Sequence, residues 1–389
     1  MRSIRDEACI VGIGQTPYTR SPRMDGTNLT LQLRACEAAI ADAGLHASQI
    51  DAVLPFPSLA IAEEFAVHLG ITDLRYQTTA HLGGAAPGAA IATAAMAVAT
   101  GVATHVLVPG GWHGYAGPRV REVVVADVSA MSGGVTAREF YFPYGLTAPV
   151  QWFSLLARLH MNAFGTTPEQ MGAVAIACRR HAQRNPDALM HARAMTMGDY
   201  LASPMISDPF RLLDCSLEAN GACALVVAAA ERAADLAQTP VHVMGFAQGQ
   251  PFPPDDIFAR EDLFRLGVAT AMPRALAMAD IEREAIDFAE LYDPFTFQVI
   301  HQLEEMGFCA RGEGGPFVAS GHIELGGDLP INTHGGLLSE GHVLGMNHFV
   351  EAVRQLRRTA GARQVTDAEI GLVTGFGDFG DGSIVILRR

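Results

Sequence analysis

The chain has 389 residues, a formal net charge of -14, 49% hydrophobic residues and only 17% charged ones. This composition predicts a globular protein with a large core, built as two domains or as one large duplicated fold. The negative charge argues against a general nucleic-acid-binding surface or an anionic-membrane surface.

No segment of the sequence indicates secretion or a membrane span. Residues 1–7 lack the apolar segment of a signal peptide. The most apolar stretch, residues 85–103, contains Pro87 and polar residues, so it predicts a buried helix rather than a membrane span. The 6 cysteines form no Cys-x-x-Cys pair, which predicts neither a metal site nor a disulfide framework. We therefore expect a cytoplasmic protein without a bound metal.

The first part of the chain alternates strand and helix patterns. Residues 8–14 form a short apolar run closed by glycines, which is typical of a buried strand. Residues 28–43 place apolar side chains at helical spacing, and residues 50–56 predict the next strand. An alanine-rich helix is predicted at 86–100, followed by a strand at 104–109.

The second part of the chain repeats this order. Residues 39–51 align without a gap with residues 275–287, so that helix, turn and Ile-Asp strand entry recur. A helix at about 343–358 and a strand at 369–374 correspond to the alanine-rich helix and the strand that follows it. Two copies of a βαβαβ unit predict an α/β layered fold with pseudo-two-fold symmetry. Ligands of such folds bind where the halves meet.

We divide the chain into an amino-terminal half, residues 1–238, and a carboxyl-terminal half, residues 239–389. The first half carries a less regular insertion at about 110–201, which includes an aromatic cluster at 140–144. Such an insertion forms a lid or substrate wall, or an oligomer contact, and the sequence leaves both open. Two further segments are predicted to pair as strands that close the first half: 214–230 and 241–249.

A glycine-rich loop near the carboxyl terminus is the most informative stretch. Residues 332–345 contain a glycine pair, a short apolar run and a Gly-His step that ends at His342. This pattern predicts a loop-to-helix junction, where backbone N–H groups are unpaired and the helix dipole is positive. Such a junction can hold an anion or a developing oxyanion.

This loop, the opening at residues 10–17 and the segment 214–222 resemble thiolases, most of all their sterol-carrier-protein-type branch. The resemblance covers essentially the whole chain. It implies the thiolase fold, in which duplicated βαβαβ halves form five α-β-α-β-α layers. It also implies a CoA thioester as substrate, no cofactor bound by this chain, and a homodimer core.

The chain lacks both cysteines of a thiolase. Gly84 falls about where the nucleophile belongs, and a glycine cannot form an acyl-enzyme. The loop at 372–380, where the acid/base cysteine is expected, contains none. By resemblance we expect Gly84, Gly341 and Gly380 to line the substrate and oxyanion site. We also expect the missing side chain at Gly84 to open space for a bulky substrate.

Tyr292 follows a strand predicted at 286–291, at the end where α/β sites form. A tyrosine here resembles the thiolase-like steroid side-chain aldolases, which carry a second tyrosine where this chain has His342. The alternative is a tyrosine that caps the strand through a backbone hydrogen bond. Four other histidines lack a comparable context and are interpreted as structural: His81, His113, His334 and His348.

The resemblance implies a lyase with Tyr292 and His342 as catalytic residues, either of them the base. It would split a β-hydroxyacyl-CoA ester of a steroid or another bulky group into a ketone or aldehyde and acetyl-CoA or propionyl-CoA. The alternatives are a non-catalytic thiolase-like subunit and a cysteine-independent acyltransferase.

Relatives of this kind often pair with a small subunit that has an OB fold and a zinc ribbon, which implies a heterotetramer. Such a partner fits the absence of an obvious CoA-phosphate clamp in this chain. Before Arg158 the insertion has only three arginines for this purpose: Arg119, Arg121 and Arg138.

Overall fold

The computed structural model of the chain describes residues 4–57, 59–118, 133–233 and 236–389. Arg119 and Arg121 lie outside the described residues. Strands β1 to β11 span, in order, Ala8–Gln15, Ala52–Val53, Tyr76–Gln77, His105–His113, Met205–Ser207, Phe210–Arg211, Asn220–Ala229, Val241–Gly249, Phe288–Glu290, Ile370–Phe376 and Gly382–Arg388. Helices α1 to α13 span, in order, Asn28–Asp42, Ala62–Leu69, Ala86–Ala99, Gly134–Thr136, Pro149–Phe164, Pro168–Ala182, Met197–Leu201, Ala230–Ala233, Gly267–Ala279, Thr296–Glu305, Gly314–Ala319, Gly336–Ser339 and Met346–Leu356.

Nine strands form a continuous sheet in the order β3-β2-β4-β7-β1-β8-β11-β10-β9. Strands β1 and β8 meet in the middle as an antiparallel pair. On either side of this pair the order is mirrored, because β2-β4-β7-β1 corresponds to β9-β10-β11-β8. The starts of β2 at Ala52 and of β9 at Phe288 keep the offset found in the sequence. The predicted duplication is therefore confirmed.

The predicted pairing between residues 214–230 and 241–249 was wrong. Both segments contain strands, β7 and β8, but β1 lies between them and pairs with each, so that Cys9 faces Ala228 on one side and His242 on the other. Strand β8 opens the second half and pairs along its length with β11. The strand predicted at 50–56 is also shorter than expected, because Pro55 has no N–H to donate to the ladder.

The sheet divides the core into three hydrophobic clusters. Along β7, successive side chains point alternately into two of them. Ala222 and Ala224 face α1 on the outside of the first half, whereas Cys223 and Leu225 face the central helices α3 and α13. The second half covers the other side of these central helices and packs its outer face on α9 and α10. The layers therefore run α-β-α-β-α, as expected. No helix in the described ranges is long and apolar enough to cross a membrane.

Three loops at the central helices bring the predicted site residues together. Gly84 directly precedes α3, and Tyr292 lies just beyond the carboxyl end of β9. His342 lies between the short helix α12 and α13. Because α3 and α13 are the corresponding central helices of the two halves, their preceding loops meet at one end of the central layer.

Candidate active site

A cavity of about 590 Å³ lies at this junction. Its described lining is mainly apolar, with Val150, Phe153 and Phe376 among the wall residues and Tyr292 and His342 among the polar ones. Val150 and Phe153 belong to α5, so part of the insertion predicted at 110–201 forms one wall of this cavity. An apolar wall with few convergent polar groups is typical of a site for a large, mostly apolar ligand.

Tyr292 and His342 are in contact at this cavity. The Tyr292 Oη atom lies 3.0 Å from His342 Nε2, within hydrogen-bonding distance. The backbone of Tyr292 is fixed on both sides, because its N–H donates to Thr374 Oγ1 and its carbonyl accepts from Gln302 Nε2. The phenol therefore faces the histidine and does not cap the strand. Burial, followed by the charges of nearby aspartates, raises the pKa of Tyr292 well above its ordinary value.

His342 is held on all sides. Its Nδ1 atom lies 3.2 Å from Ser216 Oγ, and its carbonyl accepts from Trp112 Nε1 at 2.9 Å. Burial lowers the pKa of His342 to about 4, so the imidazole is neutral at physiological pH. Its backbone N–H donates to the Leu217 carbonyl at 2.8 Å, and α13 starts only at Met346. The expected unpaired backbone donor at this histidine is therefore absent, and the imidazole is the group it offers to a substrate.

The expectation that Gly84 opens space for a bulky substrate was wrong. A Cβ atom built on Gly84 would lie 2.3 Å from Tyr292 Cζ and 2.4 Å from the Phe376 carbonyl oxygen. The ring of Tyr292 thus fills the volume that a side chain at position 84 would occupy. A nucleophile at this position and the phenol facing His342 are mutually exclusive in this structure.

The structure does not bring Gly341 or Gly380 into the described cavity wall. The carbonyl of Gly341 accepts from Asn347 Nδ2, inside the fold. The carbonyl of Gly380 accepts from the Gly267 N–H at 2.8 Å, on the far side of the loop. In that loop, Gly377 and Asp378 line the cavity instead.

One cysteine, Cys215, lies in the cavity wall. Burial, and secondarily the charge of Asp214, raises the pKa of this thiol to about 12. Burial likewise raises the pKa of Cys9 to about 12, in the core beneath the sheet. Only a thiolate attacks a thioester, so Cys215 does not replace the missing nucleophile.

Asp378 is the cavity residue that sequence reasoning missed. Its side chain is half-buried and open to the cavity, and it makes no hydrogen bond or ion pair to any described residue. Burial, with the charge of Asp381, raises the pKa of Asp378 to about 7. The sequence signal was present, since Asp378 is the only carboxylate in the loop 372–380, where the missing cysteine was sought.

A buried network of histidines and carboxylates lies behind the site. His334 Nδ1 is 2.7 Å from Glu340 Oε2, and His334 Nε2 is 3.2 Å from Glu290 Oε2 and 2.9 Å from His348 Nδ1. The other ring nitrogen of His348 lies 3.4 Å from Asp293 Oδ1. Burial alone would lower the pKa of His334, but Glu340 and Glu290 raise it well above its ordinary value.

This network joins the two segments that carry the candidate catalytic pair. Glu290 and Asp293 flank Tyr292, whereas His334 and His348 belong to the loop and helix on either side of His342. The Asp293 carboxylate also accepts the N–H groups of residues 337 and 338. His334 and His348, two of the histidines interpreted as structural, thus link the segments that carry the pair.

Among the described residues, Glu290, His334 and His348 could hold a metal ion, because their ligand atoms lie within 4.8 Å of one another. In this structure His334 Nε2 lies 2.9 Å from His348 Nδ1, whereas Glu290 Oε2 accepts no hydrogen bond from a described residue. The absence of a metal stays a prediction.

Three arginines line the cavity from separate segments: Arg20, Arg179 and Arg193. Arg179 is buried and donates from Nε to Ser339 Oγ at 3.0 Å, and Arg20 lies over the Tyr115 ring. None of the three has an ion pair with a carboxylate in the described part of the chain. An anionic ligand is the natural partner of such a group. Spacing along the sequence gave no signal for their convergence.

Known proteins are similar to this chain in sequence. The family description "Thiolase C-terminal domain-like" matches residues 249–389. A steroid side-chain-cleaving aldolase of Thermomonospora curvata is 38% identical over 375 residues, which cover 94% of each chain. The 17-hydroxy-3-oxo-4-pregnene-20-carboxyl-CoA lyase of Mycobacterium tuberculosis is 40% identical over 376 residues, covering 95% of this chain and 96% of that protein.

Structure comparison agrees with the sequence. The solved Ltp2-ChsH2(DUF35) aldolase superimposes with a TM-score of 0.91 at 36% identity, covering 100% of this chain and 99% of that one. The architecture expected from the glycine-rich loop and the duplication is therefore confirmed.

Proposed function

This chain belongs to the thiolase superfamily, and we propose that it is a lyase that cleaves a β-hydroxyacyl-CoA thioester by a retro-aldol reaction, like its aldolase and lyase relatives. The acyl group is a steroid or another bulky side chain, and the products are a ketone or aldehyde and acetyl-CoA or propionyl-CoA. The observation that carries the proposal is the contact between Tyr292 and His342 at a cavity whose nucleophile position is filled by the tyrosine ring.

The reaction needs one proton removed and one returned. When the β-hydroxyl loses its proton, a C=O bond forms there, the Cα–Cβ bond breaks and the electron pair remains on the thioester as an enolate. A donor must stabilise the enolate oxygen, and an acid must then protonate Cα. No bound cofactor takes part.

The electrostatics divide these roles between the pair. Tyr292 keeps its proton, because its pKa is raised, so it donates to a substrate oxygen. His342 is neutral and offers Nε2, through which it acts as the base or exchanges the proton that reaches Cα. The two rings are nearly perpendicular, and both residues line the cavity.

An acyltransferase is the weaker alternative. Transfer through an acyl-enzyme needs a nucleophile, and Gly84 cannot supply one without displacing the Tyr292 ring. A non-catalytic subunit would not need a neutral imidazole and a protonated phenol at hydrogen-bonding distance. Both alternatives remain measurable outcomes of the assay below.

The three cavity arginines support a CoA ester as the substrate, since its phosphates are anionic. We further propose a homodimer core that binds a small subunit with an OB fold and a zinc ribbon, giving a cytoplasmic heterotetramer. The solved relative is named as an Ltp2-ChsH2(DUF35) aldolase, and this two-part name supports a second subunit.

The test is product analysis with β-hydroxyacyl-CoA esters of bulky acids, with and without a candidate small subunit. Release of acetyl-CoA or propionyl-CoA with a ketone or aldehyde supports the lyase. Transfer of the acyl group to free CoA indicates a transferase, and binding without turnover indicates a scaffold. Tyr292→Phe and His342→Ala should each lower turnover at least about a hundredfold. Near-normal cleavage by both variants would refute the assignment of this site.

A further inference from the structure

Asp378 lies next to the catalytic pair across the turn that precedes α3. A Cβ atom on Gly83 would lie 2.6 Å from Asp378 Oδ2, just as one on Gly84 would lie 2.3 Å from Tyr292 Cζ. Two adjacent backbone positions are thus covered by the carboxylate and by the phenol. Asp378 and Tyr292 therefore face the same corner of the cavity.

The Asp378 carboxylate forms no hydrogen bond or ion pair with the residues that the structure describes. Its oxygens are therefore left to water in the cavity or to a bound ligand. Asp293, by contrast, accepts two backbone N–H groups and faces His348. An acceptor that is open to the cavity and has no partner among the described residues is positioned for a hydroxyl group of the substrate.

We infer that Asp378 is the catalytic base that removes the β-hydroxyl proton, which leaves Tyr292 and His342 to manage the enolate. This inference rests on the proposed lyase function. The hydroxyl proton passes to the Asp378 carboxylate as the C=O bond forms and the Cα–Cβ bond breaks. Cα then takes a proton from the Tyr292–His342 pair. Asp378 afterwards loses its proton to water and the pair regains one, so each turnover moves one proton from oxygen to carbon.

The proton affinities favour this division. A general base works best when its pKa lies near the operating pH. The pKa of Asp378 is raised to about 7, whereas that of His342 is lowered to about 4. Asp378 is therefore the stronger acceptor of the two and is still half-ionised near neutrality.

The charged groups around Asp378 define how its titration can be moved. Asp381 lies on the same loop and raises the Asp378 pKa by charge repulsion. Tyr292 faces Asp378 from the β9 side and remains neutral. Four further charged residues line the cavity: Arg20, Arg179, Arg193 and Glu218. Glu218 pairs its backbone with that of His342 and so belongs to the opposite side of the pair.

The first test is Asp378→Asn, which keeps the shape and removes the base. Its kcat should fall at least about a hundredfold while KM changes little. The wild-type rise of kcat/KM through about pH 7 should vanish in this variant, because the base must be ionised to act. Wild-type kcat/KM from pH 5 to 9 in Asp378→Asn would overturn the inference.

The second test moves the titration without touching the base. Asp381→Asn removes the neighbouring negative charge, so the Asp378 pKa falls and the rise of kcat/KM should shift to lower pH. Glu261→Gln removes an equal charge from an exposed position and should leave the profile in place. An unshifted profile in Asp381→Asn would contradict the assignment. If the wild-type protein releases no acyl-CoA product, the lyase function itself has failed, which is distinct from either result.

Discussion

Substitution of Gly84 by alanine tests the central feature of the site, the replacement of a nucleophile by a tyrosine ring. Two carbon atoms in ordinary contact lie about 3.5–4.0 Å apart, and the new Cβ would lie 2.3 Å from Tyr292 Cζ. The ring must therefore move by more than about 1 Å. Its hydroxyl then loses the 3.0 Å contact with His342 Nε2.

Both stability and activity should fall. Overpacking of a well-filled site costs about 1–3 kcal/mol, and the lost hydrogen bond adds about 1 kcal/mol. Displacement of a catalytic group by about 1 Å can lower the rate about a hundredfold. Urea unfolding would measure the first effect, and kcat/KM for acyl-CoA release the second.

A double-mutant cycle separates the two contacts at Gly84. In a Tyr292→Ala background the ring is gone, while the Phe376 carbonyl oxygen, at 2.4 Å, still opposes the new Cβ. The cost of Gly84→Ala should then drop by at least about 1 kcal/mol, the usual scale for coupled neighbours.

The matched control is Gly198→Ala, in helix α7. A Cβ there would meet only Thr196 Oγ1, at an ordinary 3.6 Å. This control should be neutral or stabilising by up to about 1 kcal/mol, because alanine favours helix. A Gly84→Ala variant as stable and as active as the control would refute the steric argument.

Three further predictions follow from the charges. His334→Ala leaves Glu290 and Glu340 buried without their cation. It should therefore lower the free energy of unfolding by about 3–5 kcal/mol. A loss below about 1 kcal/mol in urea titration would show that the network does not stabilise the site. Arg193→Ala should raise KM for a CoA ester about tenfold with little change in kcat. High salt should diminish this effect. An unchanged KM would show that Arg193 does not bind the phosphates of CoA. Asp378→Asn should stabilise the protein at pH 8 but not at pH 4. Because the pKa of Asp378 rises from 3.8 to about 7 on folding, ionisation of this carboxyl costs the folded state up to about 4 kcal/mol above pH 7, less the part that hydration by cavity water restores. Equal melting temperatures of the variant and the wild type at pH 8 would contradict this.

The sequence by itself determined the order of elements and the duplication. The periodicity of apolar residues fixes which face of each element is buried, and a gap-free repeat then fixes which elements correspond. It also fixed the chemistry that is missing, because no folding restores a side chain at Gly84. Tyr292 and His342 could be singled out because the segments that carry them resemble those of thiolases and of thiolase-like aldolases.

Only the tertiary structure decided how these groups meet. Contacts between segments far apart in the chain depend on the packing of the central helices, which local periodicity does not encode. Hence Tyr292 fills the space beside Gly84 that the sequence suggested was empty. Hence also Gly341 and Gly380 lie outside the cavity wall, and Asp378, the only carboxylate in the loop where a cysteine was sought, lies at the catalytic pair without a partner among the described residues.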